Sequence, residues 1–202
     1  DLSDGAGNLQ ERAREARAAL LRQAAVHEDC QRLALGHTAD DQAETVLMRL
    51  LRGAGPAGLV GIPPVRDRVV RPLIDLTRGD VCAYAEAAGI EAVEDPTNAS
   101  ERYLRNRIRR RAIPLLASLV EGDIEQPLAR LASLMQAENE CRNWWTDRAL
   151  AEIRVDDAAA HVDTLDVDRI GAWPRPVQRH VFRRWLRDPV RDTTLSAEHV
   201  EA

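Results

Sequence analysis

Leu33-Ala-Leu-Gly36-His-Thr-Ala-Asp-Asp41-Gln-Ala-Glu44-Thr45 is the stretch from which the fold is read. Leu33 to Gly36 is a short apolar run ending in glycine, and Thr38, Asp40 and Asp41 follow at once. Buried parallel strands hand over to helices in this way. The helix predicted from there runs from about Ala39 to Arg52, with Ala43, Val46, Leu47 and Leu50 on one side and Gly53 and Gly55 as its stop. At about 100° per residue, His37, Asp41, Glu44, Met48 and Arg52 fall on another stripe, roughly opposite Val46 and Leu50. Asp41 and Glu44 are therefore expected to look out over the end of a sheet, where open α/β folds bind ligands. Helix physics alone allows a plainer reading. Thr38 would be an N-cap, and Asp40 and Asp41 would complement the helix dipole, a stabilisation of about 0.3–1 kcal/mol each.

Upstream, Asn8 to Ala25 has helical spacing in Leu9, Ala13, Ala16, Leu20 and Ala24, with Asn8 and Glu11 in the pattern of a capping box. Downstream, glycines and prolines from Gly53 to Pro72 mark an ordered loop, with Val69 and Val70 as a short strand. Thr77 to Ala88 is a predicted helix stopped by Gly89, Asp95 to Asn98 a turn, and Tyr103 to Leu119 a helix kinked or interrupted at Pro114. Gly122 marks a domain boundary. Beyond it, Ile124, Leu128, Leu131, Leu134, Met135, Cys141, Trp145 and Ile153 predict a long amphipathic helix, and Pro176 to Leu186 a second. Trp144, Trp145, Trp173 and Trp185 lie in this helical spacing and read as core rather than as platforms for bases. The expected class is α/β: a partial Rossmann-like parallel-sheet domain over 1–119, then a smaller all-helical domain over 120–202.

Composition narrows the chemistry. The chain has 202 residues, 45% apolar and 30% charged, with a formal charge of −5, and all 28 of its Lys and Arg residues are Arg. That excludes a Walker-type or Schiff-base lysine within it, while the planar guanidinium fork still suits phosphates and RNA. Cys30, Cys82 and Cys141 are too far apart for a local metal ladder or disulfide framework, so a reduced, cytoplasmic chain is expected. No run of about 18 apolar residues predicts a membrane span.

His37 and Asp41 supply two of the three or four ligands that zinc needs, so no zinc site is read. Magnesium asks for only one or two carboxylates beside water and substrate phosphates, and the same carboxylates suit an ammonium group. Six arginines lie between Arg102 and Arg111 without an acid among them, beside Tyr103 and Asn106, which points to an anionic partner. A solvated helix face has the same composition. Only an inward-facing subset would be chemical, and Arg105 and Arg109 share a face at four-residue spacing, with Asn106 placed to read a base edge or order a phosphate.

The order of these motifs is more specific than composition. Gly36 to Thr45, Leu51-Arg-Gly-Ala-Gly55, Gly58-Leu-Val-Gly-Ile62, Arg71-Pro-Leu73, Thr77-Arg78, Glu94-Asp-Pro-Thr-Asn98 and Arg105-Asn-Arg-Ile-Arg109 together resemble the tRNA(Ile)-lysidine synthetase family, over about residues 8–202 and most closely over 33–116. The resemblance implies an ATP-pyrophosphatase-like α/β fold. It also implies a reaction in which ATP, with Mg²⁺, adenylates the C2 oxygen of the wobble cytidine in a precursor tRNA(Ile), after which free lysine displaces AMP.

By motif position, Asp41 and Glu44 match the acidic pair associated with lysine, and Arg17 the arginine that addresses ATP phosphates. His37 and Asp40 shape the loop, His37 on the phosphate side. Arg109, and less closely Arg105, matches an arginine near the reacting centre, and Arg105, Asn106, Arg109 and Arg110 are the expected tRNA contacts. Asp41, Glu44 and Arg17 are expected to line one open pocket. A homodimer is compatible with this reading. Ala18 stands where many members carry an aromatic residue.

The family's Ser-Gly-Gly-x-Asp-Ser phosphate loop does not occur in these residues. Such a loop cradles pyrophosphate with backbone N–H groups. The expectation is therefore a fragment cut at its front and inactive by itself. Two alternatives stay open, a related tRNA thiolation enzyme and a non-catalytic RNA-binding fragment.

Overall fold

The computed structural model describes residues 9–92, 103–120, 122–155 and 164–186. The turn at Asp95–Asn98 and the Glu94–Asn98 motif fall outside them. The chain divides into two compact units, Asp1–Gln136 and Ala137–Ala202. The division lies inside a long helix rather than at Gly122, because Ile124 and Leu128, past that glycine, pack on the core of the first unit.

In the first unit, α1 (Leu9–His27) leads to β1 (Leu33–Ala34), which hands over to α2 (Ala39–Leu50) as the sequence predicts. β2 (Val65–Arg66) and β3 (Val69–Val70) follow. β1 pairs parallel with β3, Leu33 opposite Val69, and β2 pairs antiparallel with β3, Val65 opposite Val70. The sheet order is β1-β3-β2, so this small sheet is mixed, not wholly parallel. β2 was not read from the sequence. Its tight connection to β3 turns on Asp67 at φ 55°, a left-handed position that Asp tolerates better than most residues.

α3 (Arg78–Ala87) begins at a Thr77 cap. The Asp80 N–H donates to Thr77 Oγ1 at 3.1 Å, and the Thr77 N–H and hydroxyl donate to Asp80 Oδ2 at 2.8 and 2.6 Å. The hydroxyl bond and then the backbone bond hold the Asp80 carboxyl below its ordinary value of 3.8. A depressed folded-state pKa means that the cap contributes fully above the unfolded value and is lost as pH falls through the folded one. In an NMR titration, the Thr77 and Asp80 amide resonances are expected to shift together with a midpoint below 3.8, and to stay flat in Asp80→Asn.

α4 (Leu104–Arg107) and α5 (Ile113–Val120) are joined by a π-helical stretch over Ile108–Ala112, in which the Ile113 N–H reaches back to the Ile108 carbonyl. The predicted interruption at Pro114 is thus a widened turn just before it. Proline has no N–H for the Arg110 carbonyl, and its ring needs the space that an extra residue per turn opens. Ala43 and Leu47 of α2 form the core with Ile108 and Ile113, flanked by Met48, Leu104, Ala112, Leu116, Ile124 and Leu128.

α6 (Glu125–Ile153) is the predicted long helix. In the second unit, β4 (Arg154–Val155) and β5 (Thr164–Leu165) form an antiparallel pair, followed by α7 (Val167–Gly171) and α8 (Arg175–Trp185). The expected all-helical domain therefore carries a two-stranded ribbon, built where β-branched Val155 and Thr164 replace the helical pattern. Ala149, Ile153, Ile170 and Val181 form its core, with Leu150, Leu165, Trp173, Val177 and Phe182 against it. The tryptophans do not all join them. Trp144 and Trp145 are 56% and 45% exposed, edge to face at 4.8 Å, with the Arg148 guanidinium 5.7 Å from the Trp144 ring. Two adjacent large rings cannot both face one helical seam. No helix among the described residues is long and apolar enough to cross a membrane.

Candidate active site

The head of α2 is organised by its own first turn. The Thr38 N–H donates to Asp41 Oδ2 at 2.9 Å, and Asp40 Oδ2 accepts from the Arg78 N–H at 2.6 Å, tying α2 to the start of α3. The plainer capping reading of Thr38, Asp40 and Asp41 is thus partly right, but it leaves Asp41 Oδ1 and all of Glu44 to account for.

Both go to the arginine helix. Arg105 Nη2 donates to Asp41 Oδ1 at 2.6 Å, Arg105 Nε to Glu44 Oε2 at 2.5 Å, and Arg109 Nε to Glu44 Oε1 at 2.5 Å, while Arg109 Nη2 lies 3.8 Å from Asp41 Oδ1. Arg105 and Arg109 are therefore the inward-facing subset of the run. Their four-residue spacing matches that of a carboxylate pair one turn apart on α2. Burial works against the Arg109 charge, but the hydrogen bond and charge of Glu44, with Asp41 and Asp40 beyond, hold its guanidinium above its ordinary range.

The expected open pocket takes a different form. The Glu44 side chain is 0% exposed, Asp41 20%, and Arg105 and Arg109 33% and 30%. Glu44 does not look out over the sheet: Ala39, Gln42, Ala43, Glu44, Val46 and Leu47 form the buried face of α2, and Leu50 is exposed. The reason is the arginines, which turn a polar stripe into an inner surface by supplying its counter-charges. Arg17 does not join the cluster. It is exposed on α1, and among the described residues no ion pair or hydrogen bond connects it with Asp41 or Glu44. His37 is half-buried beside Thr38, Asn106 is buried between the two arginines in sequence, and Arg110 is exposed.

Three further residues hold the loop beside the cluster, and none was singled out from the sequence. Gln42 donates to the Ile62 carbonyl at 2.6 Å and accepts from the Ile62 N–H at 2.5 Å. Arg49 donates to the Gly58 and Gly61 carbonyls at 2.7 and 2.9 Å, and Gln136 to the Val60 carbonyl at 2.7 Å. An apolar loop between two glycines leaves backbone groups that need partners, and this was the signal available. Among the described residues no group of three or more His, Cys, Asp or Glu converges to hold a metal. A magnesium ion carried by nucleotide phosphates needs fewer protein ligands than that. Cys30, Cys82 and Cys141 are all free and exposed.

Comparison with known proteins shows the family to which the chain belongs. Residues 1–116 match the model of the PP-loop domain. The chain is 43% identical over 149 residues to a tRNA(Ile)-lysidine synthase from Solibacter usitatus, covering 73% of this chain and 34% of that one. It is 38% identical over 183 residues to one from Mycolicibacterium paratuberculosis (91% and 54%) and 35% identical over 198 residues to one from Thermobifida fusca (98% and 60%). The chain thus spans between about a third and three fifths of the length of these curated relatives.

Proposed function

The chain belongs to the PP-loop domain family, and from that premise we propose that it carries out, or forms part of a protein that carries out, ATP-dependent attachment of lysine to C2 of the wobble cytidine in a precursor tRNA(Ile). The observation that carries the proposal is the four-residue cluster of Asp41, Glu44, Arg105 and Arg109, which joins two separate motifs across more than sixty positions of sequence. Residues 1–119 would be the later part of the catalytic domain, and 120–202 would contact tRNA. A cytoplasmic location and a homodimer are compatible with that role.

The cluster suits the chemistry. Lysine's ε-ammonium has a pKa of roughly 10.4, so it must be held and must lose a proton before it can attack. Asp41 keeps part of its carboxylate exposed and is the group that can meet the amine. Glu44 completes the acidic pair. With both oxygens engaged, it fixes Arg105 and Arg109, whose remaining N–H groups can face an anionic substrate. In the transfer itself the amine nitrogen bonds to C2, the C2–O bond breaks, and AMP leaves with the electron pair. Orientation of amine and base contributes several kcal/mol to such a step. Arg17 and His37 are assigned to ATP phosphates by motif position alone. Mg²⁺, when bound, would neutralise phosphate charge.

The test is ATP-dependent incorporation of labelled lysine into tRNA(Ile), measured on a form extended upstream to carry a Ser-Gly-Gly-x-Asp-Ser loop. Asp41→Asn is expected to lower incorporation about a hundredfold, the scale of a misplaced reactant, with tRNA affinity nearly unchanged. Unaltered transfer in that variant would overturn the assignment. Retained tRNA binding with no lysine transfer in any form would favour the non-catalytic RNA binder. The scattered, exposed cysteines give a thiolation enzyme no sulfur-handling pair among the described residues.

A further inference from the structure

A row of rings in the second unit extends beyond its core and is not used by the proposed reaction. Trp145 lies one and two turns before Ala149 and Ile153 on the same face of α6. Its ring meets that of Trp173, which packs on the same core, with centroids 6.5 Å apart and planes at 63°. Trp144 stands outside Trp145, edge to face with it at 80°, and more than half of it is exposed. The row is thus braced at its inner end by Trp173 and open at its outer end at Trp144.

The open end is bordered by guanidinium groups. Arg148 lies over the Trp144 ring, and its Nε is 3.4 Å from Glu152 Oε1. Both members of that ion pair are more than half exposed, so water screens it and it opens at little cost. α8 is tied to this part of α6 at both ends. Trp173 precedes it by two residues, and Arg184 Nη2 near its end meets Asp147 Oδ1 at 3.2 Å, one turn from Trp144. From Arg175 to Trp185, α8 carries four arginines and no acid.

This pairing of an exposed ring with a cationic border selects the kind of partner. A nucleic-acid base stacks on an indole face through its own π-system, whichever base it is, and brings a phosphate within reach of a guanidinium. An aliphatic protein surface would use the ring but bury Arg148 and Glu152 beside it, at the cost of their hydration. A base-paired duplex hides its base faces in its own stack.

We propose that Trp144, braced by Trp145 and Trp173, is a stacking site for an unpaired base of single-stranded RNA, with Arg148 turning from Glu152 to the adjoining phosphate. The proposal rests on the reading of the chain as one that handles tRNA, and it names a contact that lysine transfer itself does not involve.

The experiment follows the tryptophans of the whole chain by fluorine NMR after labelling with fluorotryptophan, Trp144→Phe identifying the Trp144 resonance. Three probes are added at matched ionic strength: a single strand of about eight adenosines, an abasic strand of the same length, and a blunt duplex of that length. The adenosine strand is expected to shift the Trp144 resonance and to bind about tenfold more tightly than the abasic strand, which has the same phosphates and no bases. The duplex is expected to leave the resonance in place. Trp144→Leu should weaken the adenosine strand about tenfold and Trp144→Phe should restore most of that, a rescue that a merely structural ring would not give. Arg148→Gln should lower the salt dependence of binding by about one phosphate contact. Equal affinity for adenosine and abasic strands, or a Trp144 resonance that no strand moves, overturns the proposal without requiring a variant to fold. A resonance that moves with protein concentration alone also overturns it, and makes the face a contact between copies of the chain. Neither result touches the lysine-incorporation test, and a chain that transfers no lysine but stacks the adenosine strand keeps this site and loses that reaction.

Discussion

Glu44→Ala is expected to destabilise the first unit by about 3 kcal/mol, seen as a lower urea midpoint with an unchanged slope. Glu44 is buried and accepts from both Arg105 and Arg109. Removing one member of a buried ion group leaves the others uncompensated, and this commonly costs about 3–5 kcal/mol. The lower end applies because both guanidinium groups keep about a third of their side-chain surface in solvent, which screens them. Glu44→Gln should fall between wild type and alanine. It keeps the volume and one acceptor, but turns an NH₂ group toward a guanidinium that can only donate. Arg105→Met and Arg109→Met, alone and combined with Glu44→Ala, complete the comparison. If the cluster acts as a unit, the losses in the combined variants fall well short of additive. Additive losses, or a Glu44→Ala protein as stable as wild type, would show that the four side chains do not act together.

The second large effect is expected at Gly61, which has φ 60° and is buried against α2 and α6. A Cβ there would overlap Gln42 Oε1 and come within 2.9 Å of the Ala132 Cβ. The left-handed backbone costs a non-glycine residue about 1–2 kcal/mol. Overpacking adds about 1–3 kcal/mol, because Gln42 cannot move aside without releasing Ile62. Gly61→Ala should therefore lower Tm by roughly 5–15 °C, measured by thermal circular dichroism. Gly55→Ala is the control. A Cβ at Gly55 meets nothing within 4 Å, so the change should be close to neutral. Equal melting of the Gly61→Ala and Gly55→Ala proteins would remove Gly61 from the account of how this loop is held.

These expectations differ in how far the sequence could have led to them. The β1-to-α2 handover was legible in Leu33–Asp41 because strand, cap and helix signals are local and consecutive. The same holds for the Thr77 cap, whose partner is three residues away, and for the interruption before Pro114, which follows from one missing N–H. Asp41, Glu44, Arg105 and Arg109 were each singled out, but the sequence did not join them, and the acids were expected to open toward Arg17. Trp144 and Trp145 were misplaced because helical periodicity assigns a stripe without saying how wide a neighbour will cover it.

Local chain chemistry alone determined where α2 and α3 begin, that the chain breaks its helix before Pro114, and which side chains were available to act. It did so because capping, turns and apolar periodicity depend on residues within a few positions of one another. Only the packing of α2 on the helices from Leu104 to Val120 decided which arginines turn inward and that Glu44 is sealed beneath them. Whether a carboxylate faces solvent or a guanidinium depends on what lies across the interface, and a pairing between residues more than sixty positions apart leaves no periodic mark in the chain.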